Sequence, residues 1–371
     1  MKHFLSKLSK RDLSEKIVLV RVDFNITQKN VTQSLRFTRA LETIHFLKKN
    51  NAKIVVVSHR GRPLPSEQKS KKAKKEHSLE IFKAPLKEKI KTAVYFDASC
   101  HFSTIQRHIN ELKPKEILLL ENIRLWKEEE RNSASFAKKL ASLANIYVND
   151  AFAVSHRTHA SVARIATYMP AYAGLTLEKE IKNLSIIKKT NIHPLVFIIG
   201  GVKATDKIEI LSALSKKIDT VLVGGGVANT FFQALQIPIG ASVYDKSALK
   251  LVECYVSNKK IILPDDVVIK NRAIVDIGEK AQKHFCSIIK KAKMIVWNGP
   301  LGYIEDKNGR QGTRAIVHAV FKSKAYAVIG GGETQELIGA QDDKKNIFIS
   351  TGGGALLAYL SGKKMPGIDV L

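Results

Sequence analysis

The sequence predicts an α/β protein with two domains, each built around a mainly parallel β-sheet. The chain has 371 residues, which is more than one hydrophobic core usually serves. Its hydrophobic content of 44% is enough for two buried cores. Short apolar runs alternate along the chain with segments of helical spacing, and this alternation is the pattern of repeated βαβ units.

The apolar runs give the strands of both halves. Those of the first half are Ile17–Val22, Lys53–Val57, Ile117–Leu120 and Ile146–Val148. Those of the second half are Leu195–Ile199, Thr220–Val223, Ile261–Leu263, Met294–Trp297, Ala325–Ile329 and Ile347–Ser350. Helical spacing is found between them at Arg39–Lys48, Ser133–Ala144, Lys207–Lys216 and Arg314–Phe321. The amphipathic stretch Leu177–Lys189 predicts a helix that connects the halves, and the chain has no Pro/Gly/Ser-rich linker there.

The residues that follow the first-half strands are charged. Parallel sheets bind ligands beyond the carboxyl ends of their strands, so these residues are candidate ligand contacts. They are Arg21–Asn25 (RVDFN), Ser58–Arg62 (SHRGR), Glu121–Arg124 (ENIR), and Asn149-Asp150 followed by His156-Arg157. Arginine presents a planar fork that suits carboxylate or phosphate oxygens, and this half is therefore predicted to bind a compact acid.

The second-half strands end in glycine. The glycine turns are Gly200-Gly201, Gly224–Gly226, Gly330–Gly332 and Gly352–Gly354. Glycine lets backbone N–H groups and helix N-termini approach phosphates closely, which predicts a nucleotide site. The two common fingerprints, G-x-x-x-x-G-K-[ST] and G-x-G-x-x-G after a strand, are absent from the sequence. Together the two halves predict phosphoryl transfer between a nucleotide and a small acidic metabolite.

The formal charge of +27 allows two interpretations, a binder of polyanions or a lysine-rich solvated surface. We favour the second, because the densest run, Lys69–Lys75, has no interleaved aromatic residues for base stacking. No stretch approaches the roughly 20 apolar residues of a membrane span, and the first residues lack a signal-peptide core. Cys100, Cys254 and Cys286 show no C-x-x-C spacing. We expect a cytoplasmic monomer without disulfides, structural zinc, membrane partners or nucleic-acid partners.

The sequence resembles phosphoglycerate kinases almost from end to end. The motifs that carry the similarity are, in the order of that family, RVDFN, SHRGRP, LLLENIR, NDAFAVSHRTHAS, GGVKATDKI, VLVGGGVANTF, IVWNGPLG, GGGET and STGGGA. The resemblance implies two Rossmann-like three-layer α/β/α domains facing a central cleft. Residues 1–172 with 358–371 would bind the acid, and residues 173–357 would bind the nucleotide. It implies reversible phosphoryl transfer from 1,3-bisphosphoglycerate to Mg-ADP, giving 3-phosphoglycerate and ATP, in glycolysis or gluconeogenesis.

The resemblance also assigns roles to residues of the first half. Asp23 and Asn25 would hold the hydroxyl and carboxyl region of the glycerate. The basic patch around the non-transferring 3-phosphate would consist of His59, Arg62, Arg124 and Arg157. The remaining substrate contacts implied by RVDFN and SHRGRP are Phe24, Arg60 and Gly61. Arg36 would meet the transferring phosphoryl group. Because a carboxylate acceptor needs no general base, we assign none, and we expect His156 and His159 to be structural.

The nucleotide half receives its roles in the same way. Lys203 would join Arg36 at the transferring phosphoryl group, and Lys207 would grip the nucleotide phosphates. Glu305 would take the ribose hydroxyls. The other implied nucleotide contacts are Gly225, Asn298, Pro300, Gly331, Gly332, Glu333 and Thr334. Mg²⁺ would arrive with the nucleotide, and Glu333 would be its nearest protein oxygen donor.

Four departures from the family pattern bear on these roles. Glu333 stands where many members have Asp, and Arg60 replaces a common apolar residue and adds charge to the acid-binding rim. Val202 replaces a small Ala beside Lys203. The segment Val268–Val275 is much shorter than usual near the adenine pocket, so we expect weaker discrimination between adenine and guanine nucleotides.

Two other functions remain open at this point. One is a binding protein that kept the fold, lost turnover and uses its charge to hold a polyanion such as nucleic acid. The intact Asn25, Arg36, Lys203 and Lys207 argue against lost chemistry. The other is a kinase of a different small carboxylate, which the complete basic patch disfavours.

Overall fold

The computed structural model describes residues 3–26, 31–63, 75–99, 101–338 and 345–371. The chain divides into two compact units, Met1–Lys182 with Lys364–Leu371, and Asn183–Lys363. This division falls inside the connecting helix, later than the boundary expected after residue 172. The lysine-rich run Lys69–Lys75 lies outside the described residues except for Lys75, and so does Cys100.

The first unit contains a six-stranded parallel sheet with the strand order β3-β4-β2-β1-β5-β6. Its strands are β1 (Ile17–Arg21), β2 (Lys53–Val57), β3 (Val94–Asp97), β4 (Ile117–Leu120), β5 (Ile146–Asn149) and β6 (Ala171–Ala173). The four predicted strands are confirmed, whereas β3 and β6 were not predicted. Arg21 lies beside Val57 and Asn149 in the register, so the segments after β1, β2 and β5 emerge at one edge.

Helices of the first unit pack against this sheet. They are α1 (Lys10–Leu13), α2 (Leu35–Lys49), α3 (Lys83–Ile90), α4 (Phe102–Glu111), α5 (Lys127–Glu130) and α6 (Ala134–Ala141). On one face, Phe37 and Ile44 of α2 share a core with Val18 and Val20 of β1. Tyr147 points to the opposite face, as strand alternation requires, and its hydroxyl donates to the carbonyl oxygen of Ser161 at 2.7 Å.

The second unit contains another six-stranded parallel sheet, with the order β14-β13-β12-β7-β8-β9. Its strands are β7 (Leu195–Ile199), β8 (Thr220–Val223), β9 (Ile261–Ile262), β12 (Met294–Asn298), β13 (Tyr326–Gly330) and β14 (Ile347–Ile349). All six were predicted, with small differences at their ends. An antiparallel hairpin of β10 (Val267–Lys270) and β11 (Ala273–Ile277) was not predicted.

The remaining helices follow the first six along the chain. They are α7 (Leu175–Lys189), α8 (Thr205–Ala213), α9 (Gly225–Ala234), α10 (Leu249–Glu253), α11 (Glu279–Lys291), α12 (Gln311–Lys322), α13 (Gly332–Ile338), α14 (Gly353–Leu360) and α15 (Pro366–Asp369). Single turns of 3₁₀ helix are found at Leu5–Lys7, Val31–Gln33, Glu80–Phe82, Ile123–Leu125, Phe152–Val154, Ile165–Thr167 and Lys246–Ala248, and a π-helical turn at Ala160–Arg164. The last helix returns to the first unit, where Gly367 donates its N–H to the carbonyl oxygen of Ser155 at 2.9 Å.

The start of α7 is anchored in the first unit by a buried carboxyl group. Asp150 Oδ1 accepts the backbone N–H groups of Thr176 at 2.8 Å and Leu177 at 3.3 Å. Asp150 Oδ2 lies 2.8 Å from the hydroxyl of Thr176. Asp150 therefore caps α7 and ties its first turn to the first unit. Among the described residues, no helix is both long and apolar enough to cross a bilayer.

Candidate active site

The loops after β1 and β2 are tied together at the edge of the first sheet. Asp23 Oδ1 accepts the backbone N–H of Asn25 at 3.0 Å, and Asn25 Oδ1 accepts the N–H of Gly61 at 2.8 Å. Gly61 has a φ of 66°, and a Cβ there would lie 2.4 Å from His77 Nδ1. These contacts fix Asp23, Asn25 and Gly61 relative to one another, and the positive φ favours glycine at position 61.

Arg36 lies in the first turn of α2 and reaches the same loop. Its Nη1 is 3.3 Å from Asp23 Oδ2 and donates to the carbonyl oxygen of Asn25 at 2.9 Å. About a quarter of its side chain is exposed (23%), so the guanidinium is oriented by Asp23 and still open to a ligand.

Three further arginines add positive charge to this edge. Arg124 is buried; its Nη1 donates to the carbonyl oxygen of Gly61 at 2.7 Å, and its Nε lies 3.2 Å from Glu130 Oε1. Burial, together with Arg21, lowers the pKa of Arg124 to about 10, so the group stays charged at neutral pH. Burial and the charge of Arg62 lower the pKa of Arg157. Guanidinium groups that repel one another in this way favour an anion between them.

His59 is buried against this cluster in its neutral form. Its Nδ1 lies 3.1 Å from Arg21 Nη2, which can only donate, so Nδ1 accepts and the ring proton is on Nε2. Burial and then the charge of Arg21 hold the pKa of His59 well below its usual value. Burial and then Arg124 lower the pKa of His159 to about 3. Neither histidine is suited to acid–base chemistry near pH 7.

Two residues expected to bind the acid have side chains in other roles. The ring of Phe24 is fully buried and stacks on Phe82 at a centroid distance of 4.5 Å, so only its backbone could meet a ligand. Arg60 was expected to add charge to the rim. Its guanidinium donates to backbone carbonyl oxygens, through Nε to Ile26 at 3.3 Å and through Nη1 to Glu76 at 2.5 Å, and its contribution of charge to the rim stays a prediction.

In the second unit, glycine allows the loops after β7 and β12 to touch. Gly200 donates its N–H to the carbonyl oxygen of Asn298 at 3.0 Å, and Gly201 donates to that of Pro300 at 2.7 Å. A Cβ on Gly200 would lie 2.0 Å from the Pro300 carbonyl oxygen. Asn298 Nδ2 extends the contact to the carbonyl oxygen of Gly353 at 3.3 Å. The strand ends therefore form a continuous glycine-lined edge.

Lys207 lies in the first turn of α8 and beside this edge. A Cβ on Gly201 would lie 3.1 Å from Lys207 Nζ, which places the ammonium group at the glycine turn. Asp245 Oδ2 accepts the N–H of Ala204 at 2.9 Å and so fixes the start of α8. Burial lowers the pKa of Lys207 to about 8, and the charge of Glu333 opposes the shift.

The other nucleotide candidates surround the same turn. Gly331 has a φ of 110° and precedes α13, which starts with Gly332, Glu333 and Thr334. Glu333 is exposed, whereas the Thr334 hydroxyl is buried and has no hydrogen-bond partner in the described parts of the chain. Lys203 is exposed in the loop before α8.

A cavity of about 470 Å³ opens beside these residues in the second unit. The predicted residues that line it are Gly225, Pro300, Glu305 and Glu333, and Val202 lines it as well. The hairpin β10–β11, which contains the short segment Val268–Val275, forms part of its wall. Lining residues that sequence reasoning missed include Asn229, Phe232 and Val243. The short segment therefore reaches the cavity, and its effect on base discrimination stays a prediction.

The lowered pKa of Lys207 predicts a pH dependence of nucleotide use. Above about pH 8 the amine becomes neutral and loses its attraction for phosphate. Above that pH we expect kcat/KM for the nucleotide to fall about tenfold per pH unit, which gives the pH profile a descending alkaline limb. Lys207→Ala should lower kcat/KM about 10- to 100-fold and abolish that limb. Steady-state kinetics from pH 6 to 10 would check this, with Lys203→Ala as a control that keeps the limb. Persistence of the limb in Lys207→Ala would assign it to another group.

The fold and the two edges define an α/β protein of the class that binds phosphorylated ligands at the carboxyl ends of parallel strands. The family model described as phosphoglycerate kinase matches residues 8–363. The chain belongs to the phosphoglycerate kinase family.

Known proteins agree with this assignment. The chain is 38% identical to a phosphoglycerate kinase of Wolbachia sp. subsp. Brugia malayi, over 97% of this chain and 96% of the relative. It is 39% identical to that of Dictyoglomus turgidum, over 98% of this chain and 97% of the relative. Among solved structures, phosphoglycerate kinase from Coxiella burnetii is similar with a TM-score of 0.78 at 33% identity, covering 100% of this chain and 98% of that one.

Proposed function

We propose that this enzyme catalyses reversible phosphoryl transfer between 1,3-bisphosphoglycerate and Mg-ADP, giving 3-phosphoglycerate and ATP. Membership of the family makes the chain a phosphotransferase and gives it a glycolytic role. The observation that carries the specific proposal is the contrast between the two edges. One gathers arginines around a neutral histidine, and the other combines glycine turns with a buried lysine.

In the acid-binding unit, we assign the non-transferring phosphate to Arg62, Arg124 and Arg157. The geometry supports this because burial and then neighbouring guanidinium groups lower the pKa values of Arg124 and Arg157, and a phosphate would relieve this repulsion. Neutral His59 adds one N–H donor. Asp23 and Asn25, fixed at the end of β1, would meet the hydroxyl and carboxyl region of the glycerate.

The transferring phosphoryl group would be met by Arg36 and Lys203. A carboxylate oxygen of 3-phosphoglycerate attacks the γ-phosphorus of ATP, a new P–O bond forms, and the bond to the ADP oxygen breaks. The acceptor carries no proton to remove, so the protein supplies positioning and positive charge.

The residues near Lys207 fit a magnesium ion that is carried by the nucleotide. The described residues contain no cluster of three or more His, Cys, Asp or Glu side chains that could hold a metal ion. Exposed Glu333 and the buried hydroxyl of Thr334, which has no partner among the residues that the structure describes, are oxygen donors beside the glycine edge. Mg²⁺ is commonly held by one carboxylate, water and substrate phosphates, where it neutralises phosphate charge. We propose that Glu333 is the nearest protein donor.

We further propose that the protein works as a cytoplasmic monomer whose partners are these small molecules. Its basic excess would be a solvated surface, so duplex DNA should bind weakly, with steep salt dependence. Tight DNA binding at physiological salt would favour a polyanion-binding function instead.

A coupled assay with a panel of nucleotides and acids tests the proposed function. We expect turnover with 3-phosphoglycerate and ATP, and little with carboxylates that lack the phosphate. GTP should support turnover within about a hundredfold of ATP, because the short hairpin lacks the usual excursion near the base. Absence of turnover with 3-phosphoglycerate under any nucleotide would refute the proposal.

A further inference from the structure

A chain of buried side chains connects α5 to the acid-binding edge. Glu129 is fully buried; its Oε1 accepts the hydroxyl of Ser161 at 2.6 Å, and its Oε2 accepts the N–H of Ser161 at 2.9 Å. The same hydroxyl oxygen lies 3.0 Å from Arg21 Nε. Arg21 Nη2 lies 3.1 Å from His59 Nδ1. The four residues come from four separate segments of the first unit, and all four are buried.

The direction of the two hydrogen bonds that Arg21 makes in this network is determined. A guanidinium has no acceptor, so Arg21 donates both to Ser161 Oγ and to His59 Nδ1. Because Ser161 Oγ accepts from Arg21, its single proton is free to go to Glu129. The last acceptor, His59 Nδ1, therefore carries no proton, and the neutral ring must carry its proton on Nε2.

The alternative tautomer is disfavoured by distance. Protonated Nδ1 would need an acceptor, and the nearest carboxylate oxygen among the described residues, Asp23 Oδ1, lies 4.0 Å away, beyond hydrogen-bond range. It would also point an N–H at the donor Arg21. Burial raises the pKa of Glu129, and the charge of Arg21 and the hydrogen bonds from Ser161 oppose that shift, so Glu129 and Arg21 favour each other's charged form.

We infer that Glu129, Ser161 and Arg21 are positioning residues that lock His59 as its Nε2–H tautomer, so that the ring is a permanent neutral donor to the phosphate of the bound acid. This inference rests on the proposed function for its ligand. A neutral donor adds a hydrogen bond without adding charge to an edge that already holds several guanidinium groups. Affinity for the acid would then depend on residues that never touch it.

The tautomer can be measured without substrate by long-range ¹H–¹⁵N correlation spectra of histidine-labelled protein. His59→Gln identifies the signals of His59 among those of 11 histidines. We expect one protonated and one unprotonated nitrogen in the wild type. Ser161→Ala should move both signals toward the average of two tautomers. Glu129→Gln, which keeps an acceptor for Ser161 but removes the charge, should give an intermediate shift.

Tyr147→Phe is the matched control. It deletes another buried hydroxyl that is bonded to Ser161. This hydroxyl bonds to the backbone oxygen of Ser161 and is not part of the hydrogen-bond network from Glu129 to His59. It should leave the His59 spectrum unchanged. In kinetics, Ser161→Ala should raise KM for 3-phosphoglycerate about tenfold while kcat changes less than about threefold, the pattern of lost uniform binding.

An unchanged His59 tautomer in both Ser161→Ala and Glu129→Gln would overturn the inference, and so would an equal change in Tyr147→Phe. Because the spectra are recorded on free enzyme, they are independent of turnover. A wild type inactive on 3-phosphoglycerate would therefore reject the proposed function separately, by the coupled assay. If Ser161→Ala does not fold, Glu129→Gln alone decides the question.

Discussion

Replacing Arg36 by alanine is expected to lower kcat for phosphorylation of 3-phosphoglycerate by about a hundredfold to a thousandfold. Arg36 is held by Asp23 and by the carbonyl oxygen of Asn25, yet its guanidinium remains partly exposed. In the proposed reaction it meets the phosphoryl group whose charge is redistributed in the transition state. Lys203→Ala should have a similar effect, although Lys203 belongs to the second unit.

Full kinetic constants separate this role from simple binding. Arg62→Ala is the comparison, because its assigned phosphate keeps its charge throughout the reaction. It should raise KM for 3-phosphoglycerate more than it lowers kcat. The KM for ATP should barely change in Arg36→Ala. Near-normal kcat in Arg36→Ala together with lost turnover in Arg62→Ala would reverse the two roles.

The central strands of both sheets could be predicted because they are buried on both faces. Ile117–Leu120 and Leu195–Ile199 are continuous apolar runs, which is typical of parallel strands. Edge strand β3 exposes Tyr95, and β6 has only three residues, so neither gives such a run. The strands of the hairpin β10–β11 have only four and five residues and are mostly half-buried or exposed. They show neither a continuous buried run nor a regular alternation from which their antiparallel pairing could be predicted.

Individual contacts at the site were less predictable. The motifs identified the loops, but they could not show that the ring of Phe24 is in the core or that Arg60 binds backbone carbonyl groups. The partners in the chain from Glu129 to His59 are far apart in sequence, and only the fold brings them together. One signal was available, since Arg21 ends an apolar strand and a buried arginine needs partners.

The buried position of Asp150 was likewise not predictable from the sequence, and it has a measurable consequence. It follows β5 among charged residues, which suggested a rim position, but it is buried beneath the start of α7. The Thr176 hydroxyl has one proton and two acceptors, Asp150 Oδ2 at 2.8 Å and the carbonyl oxygen of Arg39 at 3.1 Å. A protonated Asp150 resolves this conflict, because it donates to Thr176 while Thr176 donates to Arg39. Burial raises the pKa of Asp150 to about 7, in agreement with this arrangement.

Asp150→Asn is therefore expected to make the first unit more stable than the wild type at pH 8. The pKa of Asp150 is higher in the folded state than in the unfolded state, so protonation of Asp150 stabilises the folded protein. This stabilisation is complete below about pH 4 and is lost as the pH rises to about 7. Between pH 5 and pH 8 the wild type should lose about 3 kcal/mol of unfolding free energy relative to Asp150→Asn. Asparagine does not titrate, and its amide group donates to Thr176 as the protonated acid would.

Urea unfolding at pH 5 to 8 measures this difference. Trp126 fluorescence reports on the first unit once Trp297, which lies in the second, is replaced by phenylalanine in both proteins. Asp97→Asn provides the control, because this buried carboxylate is paired with His108 at 2.7 Å and its neutralisation should destabilise the unit. Parallel stability curves for the wild type and Asp150→Asn across this pH range would show that Asp150 is already ionised at pH 5. The cap on α7 would then be a charged one, and Thr176 would share its proton between two acceptors.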